Sequence, residues 1–505
     1  MIGVSDAWKD VQQRFLLPET YIEIDCAITE EGAQSSAVGT GAYETAFSNV
    51  ASILDNDENV AKYATNELNL WALDGTCTIL PDAAPYEAAG YVSDIESTGS
   101  VTLTFPAPRE GTVAGVTITW SGRYGEYPTI FTVTAKNGSA VVAELTITDN
   151  TTETSVVSLE MENYDSIIVT VHSWYLPNRR VRIEKLSIGH VLTLTKNDIL
   201  SFTHEQHGDL LSGEIPKSSI EFTLDNSDGR WNPLNPQGME RYLSERQKLT
   251  VRYGLDINGT IEWIKAGTFY LSEWDAPSNG LEARFVARDV FEFLMNVEMT
   301  GARFDTLEGL IKAAVRYSIP VDATVVLDPS LATYTGIVDE GENTAAEIVQ
   351  KCANAGKCIL RYDRDGTLHV EPLSRQMTDY MITTALAYSH PEITLSKPLK
   401  TVSVEYGGDA PYELAVLPSG ETQTVSNNFI VSEAQAADVA EVVRDILTSR
   451  KTVSGEFRAD PRLDVYDVVT VESKYGRLSP VVITDIKYTY TGSFRGSYTG
   501  RILEV

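Results

Sequence analysis

Apolar and polar residues alternate one by one in short runs along most of this chain, and that period of two restricts the fold more than any other feature. "YIEIDCAIT", "VTLTF", "GVTITW", "FTVTA", "SIIVTVHSW", "SIEFTLD", "KLTVRYG" and "GTFYLSEW" are bounded by Gly, Pro, Asn or Asp. Successive side chains of a strand point to opposite faces, so each run reads as a half-buried strand and the chain as mainly β. At 505 residues it exceeds what one core fills, which calls for three or four domains.

Helical periodicity is confined to a few stretches, each with a start signal. Asp305 stands before "TLEGLIKAAVRY" with Glu308 three residues on, and Thr344 before "AAEIVQKCANAG" with Glu347 in the reciprocal position and Gly356 as the stop. Ser432 with Gln435 opens "EAQAADVAEVVRDILTSR", whose Val439, Val442, Val443, Ile446 and Leu447 form one stripe. These predict packing helices in α/β parts. The order of segments also predicts an insertion. A strand near 19 to 28 runs into the small polar stretch "TEEGAQSSAVGTGA", a self-contained β region ends at "RRVRIEKLSIG", and strands resume at "HVLTLTKNDILSFTHEQ". Residues 41 to 190 thus read as one domain set into a loop of another.

The net charge of -31 excludes sequence-specific nucleic-acid binding, because an acidic surface repels phosphate and lacks the cations that neutralise it. The same charge suits solubility, or a conduit wall past which DNA slides without sticking. Cys26, Cys77, Cys352 and Cys358 are too scattered for a disulfide framework or a zinc site, and Cys352 belongs with Ile348 and Val349 on an apolar helix face. No signal peptide or membrane span is expected from the sequence.

Several stretches imitate chemistry. In "DNSDGRWNPLNPQG", placing Gly229 at the sixth position of a calcium loop puts Leu224 first and Asn235 twelfth, so the pattern breaks at both ends. Asp225, Asp228 and Gly229 then read as turn formers at a structural corner. Asp365-Gly366 signals a hairpin with Asp363 as an exposed neighbour. His204 and His207 stand three apart where a zincin helix needs four, and in a strand they point to opposite faces. There is no G-x-S-x-G elbow and no P-loop. The sequence calls for no cofactor, no metal and no catalytic residue, although its many carboxylates leave a glycan-hydrolysing pair open.

The segments "ILSFTHEQHGDLLSGEIPKSSIEFTLDNSDGRWNPLNPQG", "RQKLTVRYGLDINGTIEWIKAGTFYLSEW" and "EARFVARDVFEFLM" resemble the tail-tip and baseplate hub (tail-associated) proteins of long-tailed bacteriophages and prophages. The resemblance implies two hub β-barrel domains, the first from 1–40 with 191–300 and the second from 396–505 with a packing helix, joined by an α/β domain at 301–395. It also implies a homotrimeric ring that closes the tail tube. Its implied partners are the distal tail protein, the tail tube and tape-measure protein, and the tip, fibre or receptor-binding proteins. The implied location is the virion tail tip, after synthesis in the host bacterial cytoplasm. Any lytic activity is expected from another polypeptide, since the chain ends at "GSYTGRILEV".

The region 41–190 is similar to discoidin-like, galactose-binding jelly-roll β-sandwiches, carried by "YATNELNLWALDGTCTILPD", "GYVSDIESTGSVTLTFPAP", "GVTITWSGRYGEYPTIFTVTAKNG" and "YDSIIVTVHSWYLPNRRVRIEKLSIG". Sugar rings present apolar faces edged by hydroxyls, which aromatic platforms and planar polar groups meet together. The candidates for contact with a host cell-wall polysaccharide are therefore Trp71, Arg123, Tyr124, Tyr127, Trp174, Tyr175 and Arg179. A cell-surface glycan-binding adhesin and a carbohydrate-active enzyme with an accessory binding domain are the alternative readings.

Overall fold

The computed structural model describes the chain apart from 15–18, 30–35, 43–49, 51, 56–62, 65–78, 81–85, 93–98, 110–112 and 122–125. Beyond residue 200 it leaves out 233, 236–238, 240–242, 244, 258, 276–279, 296, 300–302, 319–323, 339–342, 408–409 and 504–505. The protein is mainly β with α/β parts, as the alternation predicts. It divides into two compact units, Cys26–Leu192 and the combination of Met1–Asp25 with Thr193–Val505.

In Cys26–Leu192 a five-stranded antiparallel sheet runs in the order Val38–Ala42, Gly99–Arg109, Tyr164–Trp174, Pro128–Asn137, Ala140–Ile147. Its inward residues follow the period of two: Val101 and Leu103, Phe131 and Val133, then Ile167, Val169 and Val171 are all buried. They share one core with Val116 and Ile118 of Val113–Thr119, a strand paired on one edge with Thr154–Met161 and on the other with the segment beginning at Lys185.

In the larger unit the strand Ile199–His207 is central. One edge pairs antiparallel with Lys217–Asp225, Phe202 opposite Phe222, and the other with Gly476–Tyr490, from Phe202 opposite Tyr490 to His207 opposite Asp485. The sheet continues on the first side through Glu282–Arg288 and Thr260–Asp275 to Lys248–Ile257, and on the second through Phe494–Ile502 and Lys451–Phe457 to Glu392–Leu395. The two strand groups read from the sequence as separate barrels share this sheet, and among the described residues its path carries no closing pair. The strand Ile199–His207 turns His204 fully inward and leaves His207 part-exposed beside Asp485 (2.6 Å).

The helices lie where the periodicity puts them. Ala345–Ala355 has a complete capping box, Thr344 Oγ1 accepting from the Glu347 N–H and Glu347 from the Thr344 N–H, with Gly356 as its cap. Glu433–Leu447 starts from Ser432, whose hydroxyl accepts from the Gln435 N–H. The third helix is Leu307–Ser318, and its cap is Thr306 rather than Asp305. Asp305 lies in the strand Arg303–Thr306, paired to Thr335–Val338, so helical backbone begins later. Cys352 is buried against Ile348 and Val349, and burial pushes its thiol well up.

Residues 225–232 form a corner in which the polar side chains serve the backbone, and 233 and 236–238 of the same stretch lie outside the described residues. Asp225 accepts from the Ser227 N–H (2.9 Å), Asp228 from Arg230 (3.0 Å) and Asn226 from Trp231 (2.9 Å). Gly229, at φ +69°, takes the left-handed turn that side chains resist. Buried Trp231 packs edge-on against Phe285, which stacks on Phe222. Asp363, expected to be exposed, is instead the organiser of its hairpin. Its carboxylate accepts from the Asp365 and Thr367 N–H groups and meets His369 (2.8 Å).

That hairpin carries Arg364 into the interior. Its guanidinium is buried and donates to the carbonyls of Lys265 (3.3 Å), Pro461 (2.7 Å) and Leu463 (3.0 Å) and to Asp464 (3.2 Å). Nearby, the Tyr488 hydroxyl is shared between the carbonyls of Asp460 (3.0 Å) and Leu463 (2.7 Å). His204 hydrogen-bonds Tyr253 (2.8 Å) and Ser218 (3.1 Å). Burial, aided by the Arg364 charge, pushes the His204 imidazole down to about 3, while burial pushes the Asp289 carboxyl up to about 7.

These two groups oppose each other in pH. Below its usual value of 6.5 the unfolded chain protonates His204 and the fold does not, so stability is lost as pH falls from there towards 3. Above its usual 3.8 the unfolded chain releases the Asp289 proton that the fold retains, so stability is lost as pH rises from there through about 7. Each slope is about 1.4 kcal/mol per pH unit, or roughly 2 kcal/mol between pH 5 and 6.5. His204→Gln is therefore expected to grow more stable relative to the parent on going from pH 6.5 to 5, and Asp289→Asn less stable. Urea denaturation at both pH values measures this, and equal parent and variant slopes would refute it.

Candidate functional site

The strand Tyr164–Trp174 pairs with Pro128–Asn137 through a register shift between Val171 and Ser173 and another before Trp174, which lies opposite Pro128. At this end of the sheet Trp174 is buried and Tyr175 half exposed. The Tyr175 N–H donates to the Tyr127 carbonyl (2.9 Å), and the two rings stack with centroids 4.9 Å apart and planes at 25°. Pairing of Ser121 with Glu126 through two backbone hydrogen bonds (3.2 and 3.1 Å) closes the loop between them.

Beneath the tyrosines lies Glu126, a carboxylate only 2% exposed. One oxygen meets Arg179 Nε at 2.8 Å and the other accepts from Trp174 Nε1 at 3.1 Å. Trp174 packs edge-on against Trp120, whose indole donates to Ser155 (2.8 Å), and Ser155 in turn donates to Asn150 (2.9 Å). A buried carboxylate survives only if charge and hydrogen bonds offset its desolvation, and here the guanidinium and indole do so.

Of the seven sequence candidates, the structure brings together Tyr127, Trp174, Tyr175 and Arg179. Trp174 and Arg179 are buried, Tyr127 is half-buried against the core, and Tyr175 stacked on it is exposed. Trp71, Arg123 and Tyr124 lie outside the described residues. Glu126, which joins the other four, was not among the candidates. Its only sequence signal is its place beside Tyr127 and Pro128, because a glutamate in a loop reads as solvated. The pair of rings offers apolar faces with hydroxyl rims, a surface suited to a sugar ring.

Among the described residues no group of three or more His, Cys, Asp or Glu side chains is placed to hold a metal ion, and no helix is long and apolar enough to cross a membrane. No protein-family model matches the chain, and no curated protein matches it. Among solved structures the chain is similar to the 43 kDa tail protein of prophage MuSo2 from Shewanella oneidensis, with 12% identity over 62% of this chain and 95% of that one and a TM-score of 0.44. It is also similar to the tail protein from Neisseria meningitidis MC58 (13% identity, 62% and 95% covered, TM-score 0.43). A third is prophage tail protein gp18 from Listeria monocytogenes EGD-e (11% identity, 61% and 91% covered, TM-score 0.39).

Removing one partner of the buried pair strands the other. Arg179→Met is expected to destabilise the Cys26–Leu192 unit by about 3–5 kcal/mol, whereas Tyr175→Ala, which deletes an exposed ring, costs about 1 kcal/mol or less. Denaturation followed by tryptophan fluorescence distinguishes the two, and comparable losses would contradict the division into buried pair and exposed ring.

Proposed function

We propose that the chain is a structural protein of a phage or phage-derived tail, forming a homotrimeric hub ring at the tail tip. The observation that carries this reading is the double pairing of Ile199–His207. Through it, strand groups far apart in sequence form one braced β body, the build that a ring subunit under mechanical stress needs. The sequence resemblance to tail-tip hubs supports the same reading. Three copies close the ring beneath the tail tube. The distal tail protein, the tube and the tape-measure protein are its neighbours, with tip, fibre or receptor-binding proteins beyond. The ring stays closed until infection and opens for DNA, and an acidic surface keeps phosphate from adhering to it. Light scattering on a size-exclusion column followed by particle imaging tests the proposal. A trimer with a ring-shaped projection is expected, and a chain that stays monomeric even with its tail partners would refute it.

A second reading, compatible with the first, is contact with a host cell-wall polysaccharide through the inserted discoidin-like domain. The stacked Tyr127 and Tyr175, held over a rigid buried base, favour it. Tyr175→Ala is expected to weaken binding of the purified chain to host wall polysaccharide roughly tenfold, about 1.4 kcal/mol, with the fold intact. Unchanged binding in both Tyr127→Ala and Tyr175→Ala would remove this role.

A further inference from the structure

We infer that a cavity of about 550 Å³ in the larger unit, between the end of the helix Asp6–Gln12, the strand Met377–Ile382 and the segment around Arg458 and Arg462, binds a small molecule carrying an oxyanion. The charge of its lining is the first reason. Its lining carries Lys9, Arg14, Arg458 and Arg462 against Asp379 and Asp460, while the whole chain has 40 Lys and Arg against 71 Asp and Glu. Across a chain whose overall field repels anions, a local excess of cations marks a place where one is held.

The second reason is which donors remain uncommitted. Arg462 spends Nε and Nη2 on buried Asp460, at 2.5 to 3.1 Å, and keeps Nη1. Arg458 caps the helix end, donating to the carbonyls of Arg14 (2.6 Å) and Gln12. Lys9 meets Asp6 at 3.0 Å in an exposed pair that holds it weakly. The exposed Arg14 guanidinium makes no hydrogen bond or ion pair among the described residues.

The third reason is Tyr380. It lines the cavity, is only 9% exposed, and its hydroxyl has no hydrogen-bond partner among the described residues. The Arg462 guanidinium lies 5.5 Å from its ring centroid. An unpaired buried hydroxyl costs about 1–3 kcal/mol, and because this oxygen is closed to solvent, a small shift of the cavity wall lets an oxyanion accept from it and removes that cost. The ligand is more than a bare ion. The volume falls in the range of roughly 300–1,000 Å³ that small organic molecules fill, and Met381 and Leu386 add apolar wall. The class is a carboxylate or phosphate on a short carbon skeleton.

Calorimetric and thermal-shift titrations of the full chain at pH 7 with succinate, with propyl phosphate and with uncharged propanol test the assignment. Saturable binding by one or both anions and none by propanol is expected, and the stronger of the two identifies carboxylate or phosphate as the recognised group. Raising salt should weaken it, and Arg14→Glu, a surface change, should weaken it at least tenfold. Tyr380→Phe should weaken it several-fold while leaving the ligand-free melting temperature unchanged or higher. Absence of saturable binding, or binding indifferent to both substitutions, would overturn the site. A ligand-free Tyr380→Phe protein that melts lower would also overturn it, by showing that the hydroxyl serves the fold.

Discussion

A guanidinium taken out of water must find acceptors for its fork of donors, and the larger unit is arranged around that demand at Arg364. The residue sits in a tight hairpin of the α/β part. Its donors reach a carbonyl of the strand Thr260–Asp275, two carbonyls of the segment before Val468, and the carboxylate of Asp464. Three parts of the chain are held by one side chain. Displacing any of them would strand a buried charge, a loss of several kcal/mol that few single hydrophobic contacts match. The surrounding aromatic groups, His204, Tyr253 and Tyr488, are neutral and mutually packed, so the cation meets acceptors and apolar rings and no second positive charge.

The smaller unit solves the inverse problem. Glu126 is a buried anion, met by Trp174 from the five-stranded sheet and by Arg179 from a separate strand, Arg179–Ile183. In both units a buried charge fixes geometry that apolar packing alone leaves looser. In the smaller one it lies next in sequence to Tyr127, on which the exposed Tyr175 ring stacks, so a buried ion pair and an exposed aromatic lie within a few residues of each other.

Much of the fold is legible in the sequence because it follows local rules. Alternation marks the strands, Thr344 with Glu347 marks a helix start, and Asp365-Gly366 marks a hairpin. Pairing over long distance is not local. Nothing in "ILSFTHEQH" indicates that its second edge meets a strand nearly three hundred residues later, because alternation specifies which face is buried and not which neighbour lies alongside. Buried charges escape for a similar reason: Arg364 and Glu126 sit in turn-like sequence where charge ordinarily means solvent. Asp305 misleads because a strand and a helix abut, and two residues able to cap stand in succession. Of the candidate site, Tyr127, Trp174 and Tyr175 were legible as aromatics near strand ends, and Trp71 and Tyr124 lie outside the described residues. The division into exposed Tyr175 and buried Trp174 follows a register shift that no pattern reveals.

The chain leaves the larger unit after Asp25 and re-enters it at Thr193, whose hydroxyl donates to the Asp25 carboxylate at 2.6 Å. Exit and return are thus a hydrogen bond apart, and the intervening 26–192 segment is, to its host, a loop whose ends are already joined. That bond holds the two crossing points together whatever the length or sequence of the chain between them. Such an arrangement separates the rates at which the two units can change in evolution: sequence in the inserted unit is free to drift, and the braced sheet of the other is not.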